Sequence, residues 1–435
     1  MTGRRLLVAG ATAGVTAVAL LLGGLRAAGP SGAAAPEAPA AGGRLAAGFA
    51  AGDTEALVVR LQDGLRARPM NVRGLDLLGL AYQQRARETG DPSYYVKSEG
   101  VLRRALALSP RDLDATSGLA SLELSRHRFA RAVALGREAL AISPSTARNH
   151  GVVGDALLEL GRYREAFREF DTMVRLKPGV SSYARIAYAR ELLGNLDGAR
   201  SALLLARDAA ADEPEPYAWT ETQLGKLELG RGRLAAANGH LHAALRAFPG
   251  YVYARDALAQ VDVARGRLAS ATRVERRAVE TIPLPQFVGL YGDLLQATGH
   301  ERAARLQYAT EDGIRRLLRA NGVRTDLETA QFDVDHGIRL RETLTLARAA
   351  QRARPSIDGD DVLAWALARN GRCGEALRYS KLALRLGTRD AAKLFHRAEI
   401  ERCLGRNPRP WAHRALALNP RFSVLWATAL RRLAS

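Results

Sequence analysis

The sequence predicts an all-α protein: a right-handed superhelical solenoid of about ten helical hairpins, elongated and closed by a C-terminal capping helix. Three observations carry that expectation. A proline recurs at a nearly constant interval through most of the chain, and glycine and small residues recur in a fixed order between the prolines. The composition is rich in Ala, Leu and Arg with aromatics at 6%, which favours helix over strand because those residues head the helix-propensity ranking. At 435 residues the chain also exceeds what one hydrophobic core ordinarily supports, so several domains or a repeat array are expected.

The N-terminus comes first and stands apart. A cationic start containing Arg4 and Arg5 is followed by an uncharged run from Leu6 to Leu25. As a helix this run spans about 30 Å, the thickness of a bilayer core, and its Gly and Thr content equally suits the apolar region of a signal peptide. Residues 1–25 are therefore expected to be a transmembrane anchor or a cleaved signal, with both readings open. Residues 26–43, rich in Ala, Pro and Gly, read as a semi-rigid linker. No cysteine follows the apolar run closely, which excludes a lipid-anchored start. Arg4 and Arg5 keep the N-terminus inside by the positive-inside rule, so the expected location of the rest is extracytoplasmic, membrane-anchored or secreted.

The repeat begins beyond the linker. Pro110, Pro144 and Pro178 are 34 residues apart, and Pro214, Pro249 and Pro283 follow at steps of 36, 35 and 34. Pro355 comes 72 residues later, two periods with the intermediate proline missing near Asn321, and Pro420 closes the series. Pro69 precedes Pro110 by 41 residues, the excess lying in a polar run from Arg87 to Tyr95. Within a period the order is a hydrophobe and small residue, a turn glycine, a second small residue and the proline. Val153-Gly154, Gly161, Ala166, Phe170 and Pro178 show it, as do Leu258-Ala259, Gly266, Ala271 and Pro283, and Leu363-Ala364, Gly371 and Ala376.

This pattern resembles the tetratricopeptide repeat family, whose signature is a sustained 34-residue period of paired helices. The resemblance covers residues 44–420 as a solenoid, with 421–435 as the capping helix. Three departures stand out. Around Thr325–Arg354 no turn glycine occupies the usual register. Pro408 and Pro410 are expected to delay the second helix of the tenth hairpin to Pro410 or later. Residues 301–320 read as one extended helix. Val424, Leu425, Ala429 and Leu433 are expected to cover the end of the array.

The chemistry of the sequence is sparse. No phosphate-binding loop, HExxH or GxSxG motif is present, so the expected function is binding without catalysis, cofactor or metal. His240 and His242, two apart on a helix, point to opposite faces. Asp333, Asp335 and His336 read as a solvated helix end, and Asp358, Asp360 and Asp361 as acidic residues at a helix N-terminus. Cys373 and Cys403 fall near the same edge of neighbouring hairpins, where a disulfide is geometrically conceivable; two unpaired small hydrophobes are the other reading. The formal charge is +19, yet only five of the 64 basic residues are lysine, a bias that fits a GC-rich genome. Such a charge still attracts polyanions.

The resemblance implies a concave groove lined by the first helices of successive hairpins. Carried onto this sequence, the groove positions are Tyr188, Trp219, Lys226, Tyr253, Gln260, Asp293, Trp365 and Phe395. The expected partner is a protein or peptide, with the membrane a second one if the N-terminal segment is retained. Nucleic acid is the less expected partner, reserved for the alternative of a cytoplasmic regulator with an Arg-rich surface.

Overall fold

A computed structural model describes residues 54–435. The described residues form twenty-two α-helices and no strand. Ten hairpins pair Val72–Thr89 with Ser93–Leu108, Leu113–Ser125 with Phe129–Ile142, Ala147–Glu159 with Tyr163–Leu176, Val180–Leu192 with Leu196–Asp208, and Pro214–Gly230 with Leu234–Ala247. They continue with Val252–Ala264 and Leu268–Thr281, Pro285–Ala297 and Glu301–Ala320, Asp326–Asp335 and Leu340–Ala353, Ile357–Arg369 and Cys373–Ala383, and Ala391–Cys403 and Arg409–Leu418. Helix Thr54–Ala67 precedes the first hairpin and packs Leu57, Val58 and Leu61 on its Leu77, Leu78 and Ala81. The apolar segment 6–25 and the linker 26–43 lie outside the described residues. Among the described residues no helix is long and apolar enough to cross a membrane.

Small residues let the two helices of a hairpin cross closely. Ala166, Ala271 and Ala376 are wholly buried at the crossings, and a Cβ added at Gly154 would strike the Phe170 ring. The turn that follows needs a left-handed backbone, which glycine adopts without steric cost. Gly161, Gly194, Gly232 and Gly266 supply it at φ 70°, 73°, 71° and 77°. Inner helices, with neighbours on nearly every side, bury polar residues as well as apolar ones; outer helices keep an exposed polar stripe.

Two irregular hairpins differ from expectation in detail. Gly337, at φ 68°, does serve as the turn glycine of the eighth hairpin. The turn carries one additional residue, which puts Arg339 at φ 39° and hides the register in the sequence. In the tenth hairpin the second helix starts at Arg409, capped by Pro408, and runs only 10 residues. Residues Glu301–Ala320 form one 20-residue helix.

The superhelical solenoid is as expected, but its successive coils touch, which the expectation of an elongated body did not include. The turn within each of the first five hairpins meets the loop that follows the hairpin five places further on. Arg324 N donates to Arg126 O at 3.0 Å, and Arg128 Nε to Gly322 O at 3.1 Å across 194 residues. Ile357 N donates to the Tyr163 hydroxyl at 2.7 Å, Arg354 pairs with Glu159, and Thr388 Oγ1 donates to Leu192 O at 2.5 Å. A Cβ added at Gly90 would meet Ile282 and Leu284, and one added at Gly232 would strike the Leu418 carbonyl. The second superhelical coil therefore rests edge to edge on the first, and the inner helices of both face one axis.

The C-terminal segment also departs from a simple cap. Only Ala427–Ala434 is helical, with Leu430 and Leu433 covering the last hairpin. Residues 421–426 are irregular and turn inward, so Val424 packs against Ala259, Val263 and Leu294 of the sixth and seventh hairpins.

Candidate functional site

The inner helices share one register. Tyr188, Lys226, Gln260, Asp293 and Trp365 each stand six residues before the turn glycine of their hairpin, so they hold equivalent places on the first helices of their hairpins. What lies opposite each one differs, and so does its exposure.

In hairpins four to six, Tyr188, Lys226, Tyr253 and Gln260 are half-buried. Trp219 is not at the surface: it is 4% exposed in an apolar cluster with Ala218, Tyr251 and Ala254, and Tyr188 and Tyr253 pack at its margin. Tyr253 lies 5.5 Å from the Tyr251 ring and 5.8 Å from Phe287, and burial, with the Tyr95 hydroxyl nearby, pushes its own hydroxyl up to about 12. Gln260 donates to Asp256 Oδ2 at 2.9 Å. Beside them Glu275 is fully buried where other hairpins carry Phe170, Leu203 or Leu241. Its carboxylate oxygens have no hydrogen-bond partner among the described residues. Burial first, then the Asp256 charge, raises the Glu275 pKa well above the carboxylate range, with Lys226 opposing.

Tyr188 faces the seam between coils. Burial raises its hydroxyl pKa well above the ordinary value, with Asp358 and Glu159 adding to the effect. Glu191, one turn on, is pushed up to about 7 by burial and by Asp390, and Lys393 opposes.

In hairpins seven and nine the register positions are sealed. Asp293, wholly buried, accepts from the Tyr308 hydroxyl at 3.0 Å and pairs with His336 Nε2 at 2.8 Å. Burial disfavours the His336 imidazolium, but the Asp293 carboxylate outweighs it and the His336 pKa rises. Trp365, 2% exposed, donates from Nε1 to Asp335 Oδ1 at 2.9 Å and stacks on His396 at 4.6 Å. Phe395 is fully buried. The chain's own C-terminal segment lies over both: Trp426 is 5.5 Å from each ring, and Phe422 is 5.5 Å from Phe395. Trp426 Nε1 also donates to Asp335 Oδ1, at 3.3 Å, and the Arg369 guanidinium lies 5.3 Å from Trp365 and 5.2 Å from Trp426.

Asp333 and Asp335, read as a solvated helix end, are instead buried and partnered, while Asp358, Asp360 and Asp361 do open helix Ile357–Arg369 and are partnered as well. Asp333 meets Arg315 at 3.4 Å, and Asp335 takes both indole donors. Asp358 accepts from Lys393 Nζ at 2.7 Å, Asp361 from His396 Nδ1 at 3.0 Å, and Asp360 pairs with Arg385. Sequence reading missed these because most of the partners come from other hairpins or from the tail. His240 and His242 do diverge: Nδ1 of the first meets Glu221 at 2.6 Å and that of the second its own Asn238 carbonyl at 2.8 Å. Among the described residues no group of three or more His, Cys, Asp or Glu is placed to hold a metal ion. Cys373 and Cys403 are joined in a disulfide, with Cα atoms 6.0 Å apart.

Ten helical hairpins at a 34-residue spacing, crossing on small residues and coiling around their inner helices, define a tetratricopeptide-type solenoid. Neither a family model nor a curated protein matches the chain. Its structure is similar to that of the human IFIT1 dimer with m7Gppp-AAAA, at 15% identity and TM-score 0.48 over 77% of each chain. It is also similar to a tetratricopeptide repeat protein from Parabacteroides merdae, at 14% identity and TM-score 0.41 over 56% of this chain and 98% of that one. The thermophilic TPR protein TTC0263 of Thermus thermophilus is 24% identical, with TM-score 0.38 over 46% of this chain and 98% of that one. The class rests on the hairpins themselves, not on these likenesses.

Proposed function

We propose that the chain is an extracytoplasmic scaffold, held at the membrane by residues 6–25 or released after their cleavage, that binds a protein or peptide partner on its concave face. The observation that carries this reading is the strip in hairpins four to six, where Tyr188, Lys226, Tyr253 and Gln260 stay half-buried on neighbouring inner helices. Aromatic rings flanking a cation suit a peptide, because aromatic anchors supply contact area and a charged group fixes orientation. The Cys373–Cys403 bridge supports an oxidising compartment, where such bonds persist. Binding without catalysis is the reading we adopt, in keeping with the resemblance to tetratricopeptide scaffolds.

The test is a photo-crosslinking residue placed at Tyr253, compared with one at the exposed outer-face Arg168, in cells that express the full chain. Crosslinks to a discrete partner from position 253 and not from 168 are expected. Crosslinks from 168 alone would move function to the outer surface. The +19 charge would then be the recruiting feature, with binding that falls steeply with salt. A C-terminal reporter active only outside the cytoplasm checks the location.

A further inference from the structure

The tail lies over Trp365, which holds the inner-face register, and over the neighbouring Phe395. Its attachment has a particular character. Its own polar groups are satisfied locally: Arg421 N donates to Asn419 Oδ1 at 3.0 Å, and Leu425 N and Trp426 N to Ser423 Oγ at 3.2 and 3.3 Å. Toward the body it turns the Phe422 and Trp426 rings, the apolar Val424 and the buried Ser423 and Leu425, and the Trp426 indole N–H donates to Asp335. Phe422 and Trp426 both remain half-buried, so the seal reaches solvent at its edge.

We propose that the inner face of hairpins eight to ten is a second peptide-binding site, and that residues Phe422–Trp426 are its removable intramolecular ligand. The partner it fits is a peptide with Phe and Trp four residues apart, the indole donating to Asp335 and the rings stacking on Trp365, Phe395 and Arg369. A locally folded segment that contributes rings rather than main-chain hydrogen bonds can be exchanged for another of the same pattern without leaving backbone groups of the body unpaired. The tether gives the resident segment an effective concentration on the order of mM, so a free peptide must outcompete it. This inference rests on the reading of the inner face as a peptide surface.

The experiment uses the full chain and a labelled synthetic peptide of residues 419–435. Fluorescence anisotropy compares wild type with the Phe422→Ala/Trp426→Ala double variant. The variant should bind at least tenfold more tightly, and a peptide lacking both aromatics should not bind. A folded variant that binds no better than wild type overturns the proposal. So does equal binding of the peptide without aromatics. Hydrogen exchange on wild type covers the case of a variant that fails to fold. Excess peptide should deprotect residues 421–426 while Ile357–Arg369 stays protected, and an unchanged tail overturns the proposal. Failed crosslinking at Tyr253 with tail exchange intact would dismiss the site in hairpins four to six and leave this one standing.

Discussion

Tyr188, Lys226 and Gln260 hold the same register in hairpins four to six that Trp365 holds in hairpin nine. Yet the first three are half-buried, while Trp365 is sealed beneath Trp426 with its indole bonded to Asp335. Register decides which way a side chain points. Exposure is decided by what the superhelix brings opposite, and in the second coil that is the chain's own tail. The first stretch therefore presents a surface and the second a filled one.

Substitution tests the contrast most strongly. Phe395→Ala and Trp365→Ala should each cost about 3–5 kcal/mol, as truncation of large buried aromatics does. Tyr188→Ala and Tyr253→Ala should cost about 1–2 kcal/mol, the ordinary range for a partly exposed site. Urea midpoints measure both, and equal losses would erase the distinction. Reduction of the Cys373–Cys403 bridge comes next. It releases a loop of 30 residues, worth about 2–4 kcal/mol by chain entropy, and should loosen hairpins nine and ten while hydrogen exchange in hairpins four to six stays unchanged.

Across the seam, Tyr163→Phe strands the Ile357 N–H and should lower stability by about 1–3 kcal/mol. No effect would show that the two coils contribute nothing to each other. The smallest effect concerns Glu191. Its folded pKa, raised to about 7, makes the native state bind a proton more readily than the unfolded chain. Its contribution is therefore neutral below the ordinary glutamate pKa and increasingly unfavourable as pH rises to about 7. Glu191→Gln should stabilise by about 1–2 kcal/mol at pH 8 and not at all at pH 4, given partial solvent screening. Thermal melts at the two pH values decide it.

The hairpins were legible because their signals are local. The proline series, the crossing alanines and the turn glycines each report on residues within one period. Gly337 was overlooked because a single inserted residue shifts the pattern. The coil seam and the inward tail left no such trace. The pairs Tyr163–Ile357 and Arg126–Arg324 depend on a small rotation accumulated over five hairpins, which no window of sequence contains. One hint was available: Glu159 and Asp335 put charge at the end of an inner helix beside the turn, where a buried carboxylate needs a partner from elsewhere, and Arg354 and the two indoles supply it.

The seam also fixes how many hairpins the protein has. An open solenoid tolerates gain or loss of a repeat, since each unit touches only its neighbours. Here the bonds between coils join residues 194 to 198 apart. Duplicating one hairpin in the middle would slide every downstream loop past its turn, leaving Tyr163 opposite the wrong loop and Glu159 without Arg354. Lineages of this protein should therefore vary in loop and tail while the copy number of hairpins between the first and last stays constant.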